Sequence, residues 1–166
     1  MAVDAQPAAA GWLVRNYGPR CTLVCAASLL QSLGAQSADL LPILEHGTGF
    51  RETYGPPIVA YLGGHSALDR SIERAARAGG IRVRSRTRFL VRFADIARCL
   101  DAQGGVILNC FRAPSGQRSH SVLAIGHQQR PRRILTLDPN DATQHWLTWL
   151  RPATGLVCTA TFVARR

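Results

Sequence analysis

The stretch Cys21-Thr-Leu-Val-Cys25-Ala-Ala-Ser-Leu-Leu-Gln-Ser-Leu-Gly34 decides the fold of this chain. Its apolar residues recur at the spacing of an α-helix and cover most of its surface, which is typical of a helix at the centre of a core. Gly18-Pro19 precedes it, and proline is favoured in the first turn of a helix. Gly34 is suited to end the helix as a C-cap. We therefore predict a central helix from about Pro19 to Leu33, with Cys21 in its first turn.

The rest of the chain reads as further helices followed by strands. Helical patterns cover residues 38–45, 66–78 and 93–103, and turn-rich sequence occupies residues 47–64. An alternating strand is predicted at 81–88, and apolar strands at 106–111, 119–127, 133–138 and 156–163. Helices that precede a run of adjacent strands predict an α+β fold with an antiparallel sheet.

At 166 residues the chain is long enough for one domain with its own core. We expect residues 1–11 to be a flexible lead-in and residues 12–166 to form a single domain. No segment approaches the ~20 uninterrupted apolar residues of a membrane span. The N-terminus also lacks the pattern of a secretory signal. We expect a cytoplasmic protein, or one exported without a cleavable signal peptide.

Cysteine usage and charge narrow the class of protein further. Five cysteines, an odd number in a chain of this size, predict free thiols in a reducing compartment. The net charge is +10, and all 20 basic residues are Arg. A basic surface predicts an acidic partner. The use of Arg in place of Lys is compatible with simple coding bias. A chain without Lys also has no side-chain ubiquitin acceptor, which would suit an effector delivered into a eukaryotic host.

Cys21 is a candidate nucleophile because of its place at the start of a helix. The free N–H groups and the positive dipole end of a helix N-terminus favour the thiolate, which is the reactive form of cysteine. The alternative role is that of a small buried apolar residue, the common fate of a free cysteine.

His120 and Asp138 are the candidate partners of Cys21. His120 begins an apolar strand, and Asp138 ends the next one within Asp-Pro-Asn. If the two strands form a hairpin, Asp138 returns to the end where His120 lies and can orient its imidazole. Taken singly, His120 could be a surface turn residue and Asp138 an ordinary turn residue. His127 is the one substitute base that the sequence offers.

Three stretches resemble the bacteriocin-processing (double-glycine leader) cysteine peptidases and their stand-alone relatives. In that family the nucleophile opens a helix, a second Cys often follows four residues later, and a Gly stands thirteen residues after the nucleophile. Cys21, Cys25 and Gly34 match this pattern. His120-Ser-Val-Leu-Ala-Ile-Gly126 resembles the family's His strand, and Ile134-Leu-Thr-Leu-Asp138-Pro139 resembles its Asp-Pro strand. The resemblance spans about residues 12–140 in the family's order.

The resemblance implies a papain-like fold and a Cys21–His120–Asp138 triad, with no cofactor. Two positions depart from the family. Thr22 stands where a Gly usually follows the nucleophile, and Arg15 stands where a Gln usually supports the oxyanion. Asn16 could supply that missing donor if the loop shifts by one residue. A shifted alignment would place Tyr17 at the nucleophile position, but the spacing to Gly34 favours Cys21.

An arginine stripe is the most distinctive surface feature. Strand alternation places Arg82, Arg84, Arg86 and Arg88 on one face of the strand predicted at 81–88. This stripe is either an ordinary solvated face or a binding surface for an acidic peptide or protein substrate. Nucleic acid is the weaker expectation, since no aromatic platform interleaves with the arginines. A metal site is not expected, because no second ligand pair accompanies Cys21 and Cys25.

Three functions are compatible with these residues. The first is a cysteine peptidase that cleaves a peptide or protein through a Cys-His-Asp triad. The second is a papain-like toxin or effector that uses the same residues to deamidate a glutamine or to transfer an acyl group on a target protein. The third is an inactive papain-like binding module that holds an acidic partner on its arginine face.

Overall fold

The computed structural model describes residues 20–37, 39–48, 57–89, 91–112, 118–149 and 157–166. The predicted lead-in at residues 1–11 lies outside these ranges, as do Arg15, Asn16 and Tyr17. The helices are α1 (Cys21–Ser32), α2 (Leu40–Thr48), α3 (Pro57–Ala78) and α4 (Phe93–Asp101). The strands are β1 (Val83–Phe89), β2 (Gly105–Arg112), β3 (Arg118–Gln129), β4 (Arg132–Leu137), β5 (Gln144–Thr148) and β6 (Val157–Arg165).

The six strands form one sheet in the order β1-β6-β2-β3-β4-β5, and every neighbouring pair is antiparallel. The expected α+β architecture with an antiparallel sheet is therefore confirmed. The C-terminal strand β6 lies between β1 and β2, whereas β2 to β5 follow one another as a meander. This arrangement makes β1 and β5 the two edge strands.

Helices cover both faces of the sheet, and each face has its own apolar cluster. On one face, α1, α2 and α3 pack on Ile107, Leu123, Leu137 and Val163. On the other face, α4 packs on a second set of strand residues that alternates with the first. Every residue of α1 from Leu23 to Leu30 is buried. The helix that begins with Cys21 is thus central to the core, as its apolar sequence predicts.

Helix α1 begins two residues later than expected and ends at a glycine cap. Its first residue is Cys21, and Arg20 occupies the N-cap position. At the other end Gly34 has a φ of +91°, a conformation that glycine adopts without steric penalty. The Gly34 N–H donates to the carbonyl of Gln31, and the Ala35 N–H donates to the carbonyl of Leu30. These two bonds form a Schellman motif, which fixes where the helix stops.

Two elements differ from the sequence-based expectation. Helix α3 begins at Pro57, so residues 57–64, which were expected to be part of a turn-rich stretch, are helical. Extending an existing helix is easier than nucleating one, and Pro57 occupies the favoured first position. Strand β5 was not predicted. Only Leu147 is buried among its five residues, so its sequence carries almost no apolar alternation.

Carboxylates from α3 cover the outer edge of β1. The backbone N–H of Ser85 donates to Glu73 Oε1 at 3.1 Å, and the N–H of Thr87 donates to Asp69 Oδ2 at 3.2 Å. The hydroxyls of Ser85 and Thr87 also donate to Asp69. Backbone donors that would otherwise be open to another strand are therefore paired within the chain.

None of the helices that the structure describes has the length and apolarity needed to cross a membrane.

Candidate functional site

Cys21 occupies the first helical position of α1, where backbone donors are free of helical partners. The bond from Val24 N–H to the Arg20 carbonyl is the first that closes a turn of this helix. The N–H groups of Cys21 and Thr22 therefore have no acceptor within the helix. Their partial positive charge lies beside the sulfur and favours an anion there.

His120 and Asp138 are brought together by the β3–β4 hairpin. Leu123 pairs with Leu137, so the start of β3 and the end of β4 lie next to each other at the same end of the two strands. His120 Nε2 lies 2.9 Å from Asp138 Oδ1. Both side chains are buried, with relative exposures of 5 % and 1 %. The carboxylate thus occupies one ring nitrogen and leaves Nδ1 to face other groups.

The thiol of Cys21 and the imidazole of His120 are close enough for each to shift the pKa of the other. Because Nε2 is on Asp138, the nitrogen available to the sulfur is Nδ1. The structure therefore joins Cys21, His120 and Asp138 in one chain of contacts, with the imidazole in the middle. A nucleophile, a base and a group that orients the base are the parts that nucleophilic catalysis requires.

Opposing effects act on the pKa of Cys21. Burial is the largest and raises the pKa, since a thiolate loses hydration in the interior. The hydrogen bond and the charge of His120 lower it, and Ser121 lowers it through both its backbone and its hydroxyl. The lowering contacts outweigh burial, so the pKa of the Cys21 thiol lies below the usual value for cysteine.

The pKa of His120 moves in the opposite direction. Burial alone would lower it, but the hydrogen bond to Asp138 raises it, and the contact with Cys21 raises it further. The resulting pKa is about 9. The imidazole therefore carries its proton at neutral pH, while the thiol beside it is disposed to lose its own. This is the electrostatic setting of a thiolate–imidazolium pair.

Asp138 is itself held in place by the turn that follows β4. Its Oδ1 accepts a bond of 2.9 Å from the Asn140 N–H. Its backbone N–H donates to the Thr143 carbonyl, and its carbonyl accepts from the Ala142 N–H. The predicted Asp-Pro-Asn turn thus has a specific effect, because it fixes the carboxylate that receives His120.

The other cysteines with described side chains differ from Cys21 in their burial and in the direction of their pKa shifts. Cys25, Cys99 and Cys110 are free, and Cys25 and Cys110 are fully buried. Burial raises the pKa of Cys25 well above its usual value and, to a lesser extent, that of Cys99. The raised pKa keeps Cys25 and Cys99 protonated at neutral pH, and the buried Cys25 and Cys110 have the character of core residues.

Sequence reasoning did not identify the polar residues beside the thiol. Thr22 Oγ1 lies 2.7 Å from Ser121 Oγ, and Ser121 Oγ lies 2.6 Å from Asn109 Oδ1. Asn109 Nδ2 in turn donates to Thr159 Oγ1 at 2.9 Å. Ser121 directly follows His120, and Asn109 lies opposite it on β2. The sequence did carry one signal for this site, which is that Asn109 and Ser121 are polar residues within otherwise apolar strands.

His127, the substitute base that the sequence offered, lies away from Cys21. It is near the far end of β3, where its Nε2 lies 2.8 Å from Asp101 Oδ1. Its ring also packs edge-on against Phe93 of α4. The structure therefore brings His120, not His127, to the candidate nucleophile.

The predicted arginine stripe is present on β1. Three of its four arginines lie on the strand and share one face, as the alternation predicts. Arg84, Arg86 and Arg88 are exposed, and the residues between them are buried. Arg82 is exposed too, but it precedes the strand. Arg88 lies over the ring of Phe162, with 5.6 Å to its centroid, and 4.0 Å from Asp95 of α4. The stripe is thus on the sheet face that α4 covers.

A cavity of about 640 Å³ lies between α4 and the start of β4. Its lining includes three arginines, Arg92, Arg98 and Arg132, and one acidic residue, Asp101. Phe93 is in the lining but only 5 % exposed, and the Arg132 guanidinium lies 6.0 Å from its ring centroid. The cavity has the size of a ligand pocket and a positive rim.

Among the described residues, no group of three or more His, Cys, Asp or Glu side chains is placed to hold a metal ion. No protein-family model matches the chain, and no curated protein matches its sequence.

Proposed function

We propose that this chain is a papain-like cysteine peptidase, with Cys21 as nucleophile, His120 as general base and acid, and Asp138 as the residue that orients His120. The observation that carries the proposal is the position of His120, whose Nε2 lies 2.9 Å from Asp138 Oδ1 and whose pKa is raised in part by the nearby Cys21. A buried imidazole held between a thiol and a carboxylate performs the same role in cysteine peptidases as in other catalytic triads.

In the first half of the reaction the Cys21 thiolate attacks the carbonyl carbon of a peptide bond, and a C–S bond forms. The carbonyl electrons move to oxygen and give a tetrahedral intermediate. The intermediate collapses as the C–N bond breaks, and the His120 imidazolium gives its proton to the leaving amine. A pKa of about 9 keeps that proton available at neutral pH.

In the second half, water attacks the thioester while the now neutral His120 takes a proton from it. The C–S bond breaks, the acid product leaves, and Cys21 returns to its starting state as the thiolate of a new ion pair. Asp138 keeps the imidazole in one orientation through both steps because its carboxylate accepts the Nε2–H.

The backbone N–H of Cys21 is the donor best placed to stabilise the oxyanion. It stands at the open N-terminus of α1, beside the sulfur that makes the new bond. Removing one oxyanion donor typically lowers the rate by ~10²–10³. The side chain of Asn16 is the second donor we propose, and it precedes the described residues.

The test is the pH dependence of Cys21 alkylation by iodoacetamide, mapped by mass spectrometry. Wild type should label at Cys21 well below the pH at which ordinary thiols react, while Cys25 and Cys99 remain unlabelled in the folded protein. His120→Ala should lose this early labelling. His127→Ala is the matched control, because His127 is also paired with an aspartate but lies at the other end of β3.

Labelling of Cys21 that needs the same high pH as an ordinary thiol would contradict the peptidase proposal. So would a wild-type profile that His120→Ala leaves unchanged. If labelling confirms the Cys21–His120 ion pair, the first substrates to test are peptide libraries with small residues, including Gly-Gly, before the scissile bond. The family that this chain resembles cleaves after such residues.

A second candidate activity, binding of an acidic segment, is favoured by the positive surface on the α4 face. The exposed side chains of Arg84, Arg86 and Arg88 flank α4 on one side, and the cavity rim of Arg92 and Arg132 flanks it on the other. Arg132 begins β4 and Asp138 follows its end, so the cavity lies roughly 20 Å along the strand from the triad. An acidic peptide could bind there without blocking Cys21.

This binding is tested with a fluorescein-labelled hexapeptide of alternating glutamate and leucine, on Cys21→Ala protein. Binding should weaken about tenfold in the triple variant Arg84→Gln/Arg86→Gln/Arg88→Gln or in Arg92→Gln/Arg132→Gln. It should weaken again when salt shortens the screening length from about 10 Å to about 3 Å. Arg77→Gln, an exposed arginine on α3, is the matched control. Equally weakened peptide binding in that control, or tighter binding of a thymidine oligonucleotide than of the peptide, would contradict binding of an acidic segment at this face.

A further inference from the structure

The cavity of about 640 Å³ between α4 and the start of β4 contains none of the residues proposed to act in peptide cleavage. We call this cavity the α4 pocket. Small-molecule sites in proteins enclose roughly 300–1,000 Å³, so the α4 pocket has the size of such a site. Its lining combines an aromatic ring, arginines without a counter-charge and two hydrogen-bonding side chains, and each of these restricts the kind of ligand that fits.

The aromatic ring of Trp149 forms a wall of the pocket and is held in a fixed position. Its centroid lies 6.3 Å from that of Phe93, which is almost completely buried. The backbone N–H of Trp149 donates to the Arg132 carbonyl at 2.8 Å, which fixes this residue beside the start of β4. The Trp149 side chain is only partly buried. A fixed aromatic ring with an accessible surface is a platform on which a planar ring can stack.

Two arginines in the lining have no counter-charge. Among the described residues, neither Arg92 nor Arg132 forms an ion pair. The guanidinium of Arg132 lies over the Phe93 ring instead, 6.0 Å from its centroid. The third arginine, Arg98, differs because its guanidinium lies 3.6 Å from the carboxylate of Asp95. The pocket therefore presents two positive charges that no described acidic group neutralises.

The N-terminus of α4 adds backbone donors to the same pocket. Arg92 is the N-cap, and Phe93 and Ala94 are the first two helical residues; all three line the pocket. The N–H groups of Asp95 and Ile96 make the first bonds of the helix, to the Arg92 carbonyl. The N–H groups of Phe93 and Ala94 therefore have no acceptor within the helix. Such groups bind phosphate well, and here they accompany the unpaired arginines.

Two further side chains can recognise the polar edge of a ring. Asp101 ends α4, nine residues after Arg92 and therefore about 13 Å along the helix. One of its carboxylate oxygens lies 2.8 Å from His127 Nε2, and a carboxylate can accept several hydrogen bonds, so it can also accept from a ligand N–H. Gln129 is exposed, and its amide can both donate and accept.

We propose that the α4 pocket binds a small ring compound with a phosphate monoester, of the class of nucleoside monophosphates. The planar ring stacks on Trp149, and the phosphate binds to Arg92, Arg132 and the N-terminus of α4. Asp101 and Gln129 are the acceptor and the amide that meet the polar edge of the ring. Binding is non-covalent, so no bond forms or breaks.

The charge of the ligand follows from the charge of the pocket. A phosphate monoester carries about −1.5 to −2 at pH 7, which matches two arginines without a counter-charge. A carboxylate, or a phosphodiester within a nucleic acid, carries a single charge and would leave one arginine unmatched. Inorganic phosphate has the charge but no ring to stack on Trp149. A nucleoside monophosphate is the class that satisfies both parts of the pocket.

The α4 pocket does not depend on the peptidase proposal. It lies roughly 20 Å along β4 from the triad, so Cys21→Ala should leave nucleotide binding unchanged. The pocket does share Arg92 and Arg132 with the surface proposed for an acidic segment. The two ligands should therefore compete, and the glutamate–leucine hexapeptide serves as the competitor.

The experiment is isothermal titration calorimetry of the protein with AMP, GMP, CMP and UMP. At least one of these should bind about tenfold more tightly than its nucleoside and than inorganic phosphate. Arg92→Gln/Arg132→Gln should weaken its binding about tenfold and leave nucleoside binding unchanged. Trp149→Leu should also weaken it about tenfold, whereas Trp149→Phe, which keeps a ring, should weaken it less than about threefold. Arg84→Gln/Arg86→Gln removes the same charge from β1, outside the pocket, and is the matched control.

Melting temperatures of the unliganded variants identify any that fail to fold, and the arginine pair keeps the test decisive if Trp149→Leu does so. Absence of binding for all four nucleotides would overturn the proposal, and so would equal affinity for a nucleotide and inorganic phosphate. Equal weakening in the β1 control would show a general effect of charge. Hexapeptide binding without nucleotide binding would assign the arginines to a peptide. Tighter binding of a trinucleotide without terminal phosphates than of the monophosphates would assign them to nucleic acid.

Discussion

His120 and Asp138 are eighteen positions apart in the chain, yet His120 Nε2 lies 2.9 Å from Asp138 Oδ1 with both side chains buried. This contact fixes more than the orientation of the His120 ring. It also sets the charge of the imidazole, because a carboxylate that accepts the ring N–H favours the protonated form. The pKa of His120, raised to about 9, depends on this contact after the opposing effect of burial.

We therefore expect Asp138→Ala to lower the pKa of His120 towards the ordinary value of about 6.5. In wild type the ring should stay protonated as the pH rises from 6.5 to near 9, whereas in the variant it should lose its proton in the lower part of that interval. The measurement is the pH titration of the His120 ring signals by NMR. Asp141→Ala, which removes an exposed carboxylate in the same turn, is the control. A His120 titration that is the same in all three proteins would contradict the prediction.

The packing of α1 on β2 gives a second prediction. Gly105 begins β2 and lies against the side chain of Leu29 on α1, whose Cγ would be 2.8 Å from an added Cβ. Gly105→Ala should lower the free energy of unfolding by about 1–3 kcal/mol, since either the helix or Leu29 must move. Because α1 carries Cys21 at its start, labelling of Cys21 at neutral pH should slow as well. Urea unfolding and alkylation measure the two effects.

Gly80→Ala is the comparison for that variant. Gly80 has a φ of +80°, and an added Cβ there would meet nothing within 4 Å. This substitution should lower stability by about 1 kcal/mol through backbone strain alone. It should leave Cys21 labelling as in wild type. Equal labelling in both glycine variants would show that the position of α1 does not control the thiol.

A third prediction concerns the two cysteines of α1. Cys25 is fully buried and its thiol donates to the Ser121 carbonyl at 3.5 Å, whereas Cys21 is only partly buried. Cys25→Ala should lower stability by about 1–2 kcal/mol through lost packing and leave Cys21 labelling unchanged. Cys21→Ala should remove the reactive thiol with a smaller loss of stability. Denaturant melts and mass spectrometry of alkylated protein check both, and slower Cys21 labelling in Cys25→Ala would contradict the structural role of Cys25.

The sequence made some of these features predictable because they depend on local patterns. The apolar spacing that ends at Gly34 predicts α1, and alternation along residues 81–88 predicts that Arg84, Arg86 and Arg88 share an exposed face. The apolar runs that end before Asp138 and begin after His120 predict a hairpin. Each of these signals lies within about twenty residues, so nearby positions in the chain are sufficient to detect it.

Other features depend on contacts that no local pattern records. Ser121 and Asn109 are polar residues in apolar strands, and only the pairing of β2 with β3 reveals that they lie side by side. Strand β5 forms because β4 offers it an edge, although only Leu147 among its residues is buried. The first two turns of α3 carry Gly63-Gly64, whose low helix propensity is overridden by continuation of the helix.

A fourth prediction concerns the edge of β1. Asp69→Ala/Glu73→Ala removes the carboxylates that accept the Ser85 and Thr87 N–H groups. We expect this variant to self-associate as the concentration increases, because the freed donors can pair with another chain. Light scattering at neutral pH measures the effect. Arg70→Ala/Arg77→Ala alters exposed positions on the same helix and should stay as dispersed as wild type; association in that control would point to charge rather than to the edge.

The two carboxylates of α3 therefore protect the edge strand β1 from pairing with a further strand. A partner that approaches this border finds the Ser85 and Thr87 backbone donors already bound, so it cannot join by adding a seventh strand through them. What it meets instead is a row of guanidinium groups spaced at every second residue. For the acidic partner proposed above, binding at this border would depend on negative charge at a matching spacing and not on the ability to become extended.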